Sequence, residues 1–65
     1  MTIIVNGEAR ELPAQTLKDL LEALDLAEAV VATAVNGRFV PAKARAAAAL
    51  TQGDAVEILA PMQGG

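Results

Sequence analysis

The chain has no cysteine and no histidine among its 65 residues. Disulfide staples, cysteine–zinc sites, thiol nucleophiles and imidazole bases are therefore excluded by inspection. Tryptophan and tyrosine are also missing, which leaves Phe39 as the single aromatic. Five basic residues stand against eight acidic ones, for a net charge of −3. Nucleic-acid binding draws on a basic face and on stacking rings, so it is not expected here. No apolar run approaches the roughly 18 residues of a membrane span. The N-terminus lacks a charged region followed by an apolar one, and a soluble protein of the cytoplasm is expected.

What the chain does contain is apolar, at 54% hydrophobic residues, although much of that is alanine. Leu, Ile, Val and Phe together make 18 of 65 residues. That exceeds the roughly 20% below which disorder is expected. A chain this short forms one domain, residues 1–65, and hides only about 60% of the surface its unfolded form exposes. Its stability is expected to be modest.

Two Asn-Gly pairs punctuate the sequence, at Asn6-Gly7 and Asn36-Gly37. Asn-Gly favours the positive φ values of a type I′ turn, whose twist matches paired strands. The first links Thr2–Val5 to a polar return strand, Glu8–Leu12, expected at a sheet edge. The second links Val30–Val35 to Arg38–Val40. Between the hairpins, Thr16 is the expected N-cap of a helix over Leu17–Leu24, with Asp19 reaching back as in a capping box. Leu17, Leu20, Leu21 and Leu24 share one face of that helix. Lys18 and Glu22 suit a weak ion pair on its wet side. Asp25–Ala29 reads as a connection, although no glycine marks the helix stop. Ala42–Leu50 has helix propensity without an apolar stripe, so a turn or short helix over the sheet edge is expected. Gln52-Gly53-Asp54 is a turn, and Ala55–Leu59 is the final strand. Hairpin, helix, hairpin, turn and strand make an α+β chain of the β-grasp type: one mixed sheet of about five strands with a helix across it. Its most apolar strands, the first and the last, are expected at the centre.

The final strand leads into Ala60–Gly65, APMQGG, which reads as a flexible tail closed by Gly64 and Gly65. On composition alone, a frayed terminus is the simpler reading. A functional reading also exists. A carboxylate becomes electrophilic once AMP is attached to it, and that requires the carboxylate to enter a partner's cleft. Glycine has no Cβ and passes a narrow channel. From Leu59 the tail reaches about 20 Å, at roughly 3.3 Å per residue. Met62 is a candidate contact for a partner's pocket. Phe39, on a short strand, reads first as core and second as a partner contact. Asp54 and Glu57 read as solvated charges rather than an acid–base pair. Arg38, Lys43 and Arg45 read as ordinary surface charges. No set of side chains carries catalysis alone, and no metal-ligand set is present.

Taken in order, the hairpin around Asn6-Gly7, the helix opening at Thr16-Leu17, AVNGRFVP from Ala34 to Pro41, QGDAVEI from Gln52 to Ile58, and Gly64-Gly65 carry a resemblance. Over nearly all 65 residues the chain resembles the ubiquitin-like sulfur carrier proteins of thiamine biosynthesis, the small partners of thiazole synthase. The resemblance implies a carrier rather than an enzyme. An E1-like activating enzyme would adenylate Gly65 with MgATP. Sulfur from a persulfide donor would displace AMP, leaving a thiocarboxylate that serves thiazole synthase. Gly64, Met62 and Phe39 would meet the partners, no cofactor would be bound, and the free carrier would be a monomer. A chain without cysteine has only such a terminus on which to carry sulfur. Two positions depart from the family pattern. Ala42 stands where an arginine is common after Val-Pro, and Arg45 where an aromatic is common. Two other readings remain open: the small subunit of molybdopterin synthase, and a β-grasp binding module without chemistry.

Overall fold

The computed structural model describes residues 1–60. Its two hairpins form where the Asn-Gly pairs stand. Asn6 and Gly7 take φ of 50° and 82°, joining β1 (Thr2–Val5) antiparallel to β2 (Glu8–Glu11). Asn36 and Gly37, at 51° and 84°, join β3 (Ala32–Val35) to β4 (Arg38–Val40). These are the positive values that type I′ turns require. β2 is one residue shorter than expected, because Leu12 leaves the strand to enter the core.

β5 (Ala55–Leu59) lies in the middle of the sheet, whose order is β2-β1-β5-β3-β4. It runs parallel to β1 and antiparallel to β3. The two apolar strands are thus central and polar β2 is an edge, as expected. β3 corrects the sequence reading, since it starts at Ala32 rather than at Val30. Its first rung pairs Ala32 with Leu59, the last residue of β5, so Val30 and Val31 have no strand opposite them. Val30 is left 80% exposed.

The helix α1 (Leu17–Ala23) opens on a complete capping box. Thr16 Oγ1 accepts from the Asp19 N–H at 3.2 Å, and Asp19 Oδ2 accepts from the Thr16 N–H at 3.2 Å. The short aspartate therefore closes the reciprocal bond. α1 ends one residue before Leu24, which caps it. Asp25 then takes φ of 62°, the left-handed position usually given to glycine. The Asp25 N–H bonds the Glu22 carbonyl at 3.0 Å, and the Leu26 N–H bonds the Leu21 carbonyl at 2.7 Å. That pair of bonds is a Schellman ending, with aspartate doing what glycine usually does. No Lys18–Glu22 ion pair forms among the described residues.

Leu17, Leu20 and Leu21 bury against Ile3, Val5, Val56 and Ile58, so α1 covers one face of the sheet. Ala42–Ala47 forms a 3₁₀ helix that packs beside α1, rather than lying along the sheet edge. The chain after it bonds back to the helix entrance: Leu17 N–H to the Ala48 carbonyl at 2.9 Å, and Leu50 N–H to the Gln15 carbonyl at 2.8 Å. The first of these satisfies an N–H that a helix start leaves unpaired. The alanines permit the close approach, and Leu50 plugs the core beneath them.

Candidate functional site

β5 leads in sequence to the C-terminal segment. Ala60, directly beyond its last residue, is exposed, and the chain then continues to Gly65. Met62, Gly64 and Gly65, three of the residues singled out in the sequence, lie outside the described residues. What the structure builds is the surface from which they depart.

Successive strand residues point to opposite faces, and the face away from α1 is open. Along β5 the buried Val56 and Ile58 alternate with exposed Ala55, Glu57 and Leu59. Register places Ile4 opposite Ala55, Ala34 between Glu57 and Phe39, and Ala32 opposite Leu59. Phe39 is 69% exposed and Leu59 64% exposed on this face. The expectation that Phe39 is core is corrected: its strand neighbour Val40 turns inward, which sends Phe39 outward. Phe39, Leu59, Ala32 and Ala34 wall a shallow hollow with Glu57 at its side. A second hollow continues from Ala32 and Leu59 to Val30 and Ala60. The apolar surface therefore runs unbroken from β4 to the residue where the tail begins. Exposed apolar surface of this kind marks interaction sites.

Charged residues take separate places. Asp54 is held in its turn, accepting from the Thr51 N–H at 2.8 Å, the Thr51 hydroxyl at 2.9 Å and Asn36 Nδ2 at 3.1 Å. Its carboxyl lies below the usual range, first because of the Thr51 backbone bond and then because of Asn36. Glu57 stands apart on the open face, so the two acids form no acid–base pair. Arg45 corrects its reading as an ordinary surface charge. Its Nε donates to Thr33 Oγ1 at 3.1 Å and its Nη2 to the Val31 carbonyl at 2.7 Å. It ties the 3₁₀ helix to the entry of β3, while Arg38 and Lys43, the other two residues so read, remain exposed.

A groove of about 500 Å³ lies at the other side of the strand end, between Leu24, Leu26 and Val31, with Arg10 and Asp25 at its rim. It contains no nucleophile. Among the described residues no three His, Cys, Asp or Glu side chains gather to hold a metal ion, and no helix is long and apolar enough to cross a membrane. Sequence reasoning missed the side chains of Asn6 and Asn36, which reach past their turns to β5. Their type signalled only the turns.

Comparison with known proteins agrees with this layout. The model of the ThiS family matches residues 3–65. A crystal structure of the thiamine biosynthesis protein ThiS from Geobacter metallireducens superposes with a TM-score of 0.82 at 36% identity, covering 100% of both chains. An NMR solution structure of a thiamine biosynthesis protein from Geobacter metallireducens gives 0.80 at 33% identity, over 100% of this chain and 88% of that one. None of the curated proteins compared with the chain matches it. With a family match over nearly its whole length and a β-grasp fold shared at this identity, the chain belongs to the ThiS family of ubiquitin-like sulfur carriers.

Proposed function

We propose that this carrier works in thiamine biosynthesis by bearing sulfur on the α-carboxylate of Gly65. The observation that carries the reading is a Gly64-Gly65 end five residues beyond Ala60, where a central strand and an apolar open face meet. The family match favours thiamine over molybdopterin synthesis, and a carrier over a plain binding module.

The chemistry follows from the terminus. In the cleft of an E1-like activating enzyme, a Gly65 carboxylate oxygen attacks the α-phosphorus of MgATP. Pyrophosphate leaves and an acyl-adenylate forms. The terminal sulfur of a persulfide donor then attacks the acyl carbon and expels AMP, forming an acyl disulfide. A thiol reductant attacks the donor's sulfur in that bond, forms a disulfide with it and frees the thiocarboxylate. The carrier next docks on thiazole synthase and gives up that sulfur. Magnesium and ATP belong to the activating enzyme's substrate, and the carrier holds no cofactor of its own. The open face of Ile4, Ala34, Phe39 and Leu59, with Met62 beyond it, engages each partner in turn. The free carrier is a cytoplasmic monomer in this proposal.

The test is ATP–pyrophosphate exchange by the activating enzyme, with the full chain and with Gly65 deleted. The full chain should support exchange. The truncated chain should not, although its melting temperature is unchanged. Equal exchange by both would place the reacting group elsewhere.

A further inference from the structure

β1 stops at Val5, while its parallel neighbour β5 runs on to Leu59. The Asn6 N–H donates to the Val56 carbonyl at 2.9 Å, and at Asn6 the chain turns away with φ of 50°. Ile58 is therefore left without a β1 backbone group for its next rung. The Asn6 side chain takes that place. Its Oδ1 accepts from the Ile58 N–H at 2.8 Å, and its Nδ2 donates to the Ile58 carbonyl at 3.1 Å. A carboxamide offers the same donor and acceptor as a peptide group, so the ladder continues through a side chain. Asn36 makes the matching clamp at the opposite end of β5. Its Oδ1 accepts from the Ala55 N–H at 3.0 Å, and its Nδ2 donates to Asp54 Oδ1 at 3.1 Å.

The two clamps differ in what lies beyond them. Ala55 follows a closed turn, whereas Ile58 stands two residues before Ala60 and the segment to Gly65. We propose that Asn6 is a positioning residue for the transfer reaction, its clamp on Ile58 fixing the direction in which the tail leaves the sheet. The inference rests on the carrier reading. Docking through the open face sets the body of the carrier on its partner, and the strand end must then meet the mouth of the partner's channel. Five residues beyond Ala60 span at most about 17 Å. A swing of Leu59 and Ala60 shifts the point from which those residues must reach the channel, and a misplacement of a reacting group by about 1 Å can cost on the order of a hundredfold in rate.

Asn6→Gly keeps the positive φ and removes the carboxamide; Asn36→Gly does the same at the other clamp. Exchange should be measured against carrier concentration with the activating enzyme. Asn6→Gly should lower the rate at saturation about ten- to a hundredfold and leave the half-saturating concentration unchanged. Asn36→Gly should keep the wild-type rate at saturation, even where both variants melt alike. Asn6→Asp retains the acceptor for the Ile58 N–H and should fall between, and it serves should Asn6→Gly not fold. Equal loss in both glycine variants, or none in Asn6→Gly, overturns the proposal. Amide hydrogen exchange at Ile58 and ¹⁵N relaxation at Ala60 need no partner. Asn6→Gly should speed the first and loosen the second, and Asn36→Gly should alter neither. Should the wild type support no exchange, the carrier reading fails, and the clamp is judged on these amides alone, where unchanged values refute it.

Discussion

Glu57 is the residue whose surroundings say most about the partners. It stands on the open face among Phe39, Leu59 and alanines, where docking would strip its water. A carboxylate buried without a counter-charge is costly, so each partner should bring a cation to this point. Glu57→Lys is expected to weaken binding to the activating enzyme by at least about tenfold while the melting temperature holds. Titration calorimetry reads the affinity, and an unchanged value would remove Glu57 from the interface. Asp54 makes a prediction about acid. Its folded pKa is depressed by bonds from Thr51 and Asn36. Its contribution is therefore complete above the unfolded value of 3.8 and is lost as pH falls through the lower folded value. Melting curves of the wild type and Asp54→Asn should differ at pH 7 and converge in strong acid. A gap that stays constant down to acid would contradict the assignment.

At the scale of elements, α1 shows both what the sequence discloses and what it hides. Thr16, Asp19 and the leucine spacing stated the start and the buried face in advance, because caps and amphipathic stripes are local. The stop falls one residue before the expected Leu24, and what the sequence hides is its device, since Asp25 occupies a left-handed position that a glycine would have announced. An acid there also opposes the helix dipole. Asp25→Gly should stabilise the domain by about 1 kcal/mol, a rise of roughly 4–8 °C in melting temperature for this size. A fall on thermal denaturation would show that the Asp25 side chain contributes something the Schellman bonds do not. β3 erred in the other direction. Val30 and Val31 have strand propensity, but β5 ends opposite Ala32, and propensity without a partner strand does not make a strand. Phe39 was ambiguous because a three-residue strand offers too few alternations to choose a face. The clamps of Asn6 and Asn36 join residues 52 and 19 apart in sequence, beyond the reach of any pattern rule.

For the whole molecule, parallel pairing of β1 and β5 fixes where β1 starts and where β5 ends. The Thr2 carbonyl accepts from the Gly53 N–H at 2.8 Å, so β1 starts beside the turn that feeds β5. Ala60 leaves from the other end of β5, roughly 17 Å away for five strand residues. Met1, whose ammonium bonds Glu11 Oε1 at 2.7 Å, therefore lies towards the opposite end of the sheet from Ala60. A tag on Met1 should leave function intact, at the loss of one exposed ion pair. The same tag after Gly65 converts the carboxylate to an amide and should abolish complementation of a thiamine auxotroph, until cleavage frees Gly65 again. Growth with the uncleaved C-terminal fusion would contradict the thiocarboxylate route.

The reacting atom itself is open to one direct measurement. Carrier incubated with the activating enzyme, MgATP and a persulfide donor, then reduced, should be weighed intact and fragmented by mass spectrometry. The expected result is a mass increase equal to one oxygen-to-sulfur exchange, confined to the fragment that ends in Gly65 and absent without ATP. An unchanged mass, or sulfur located on any other residue, would contradict the account.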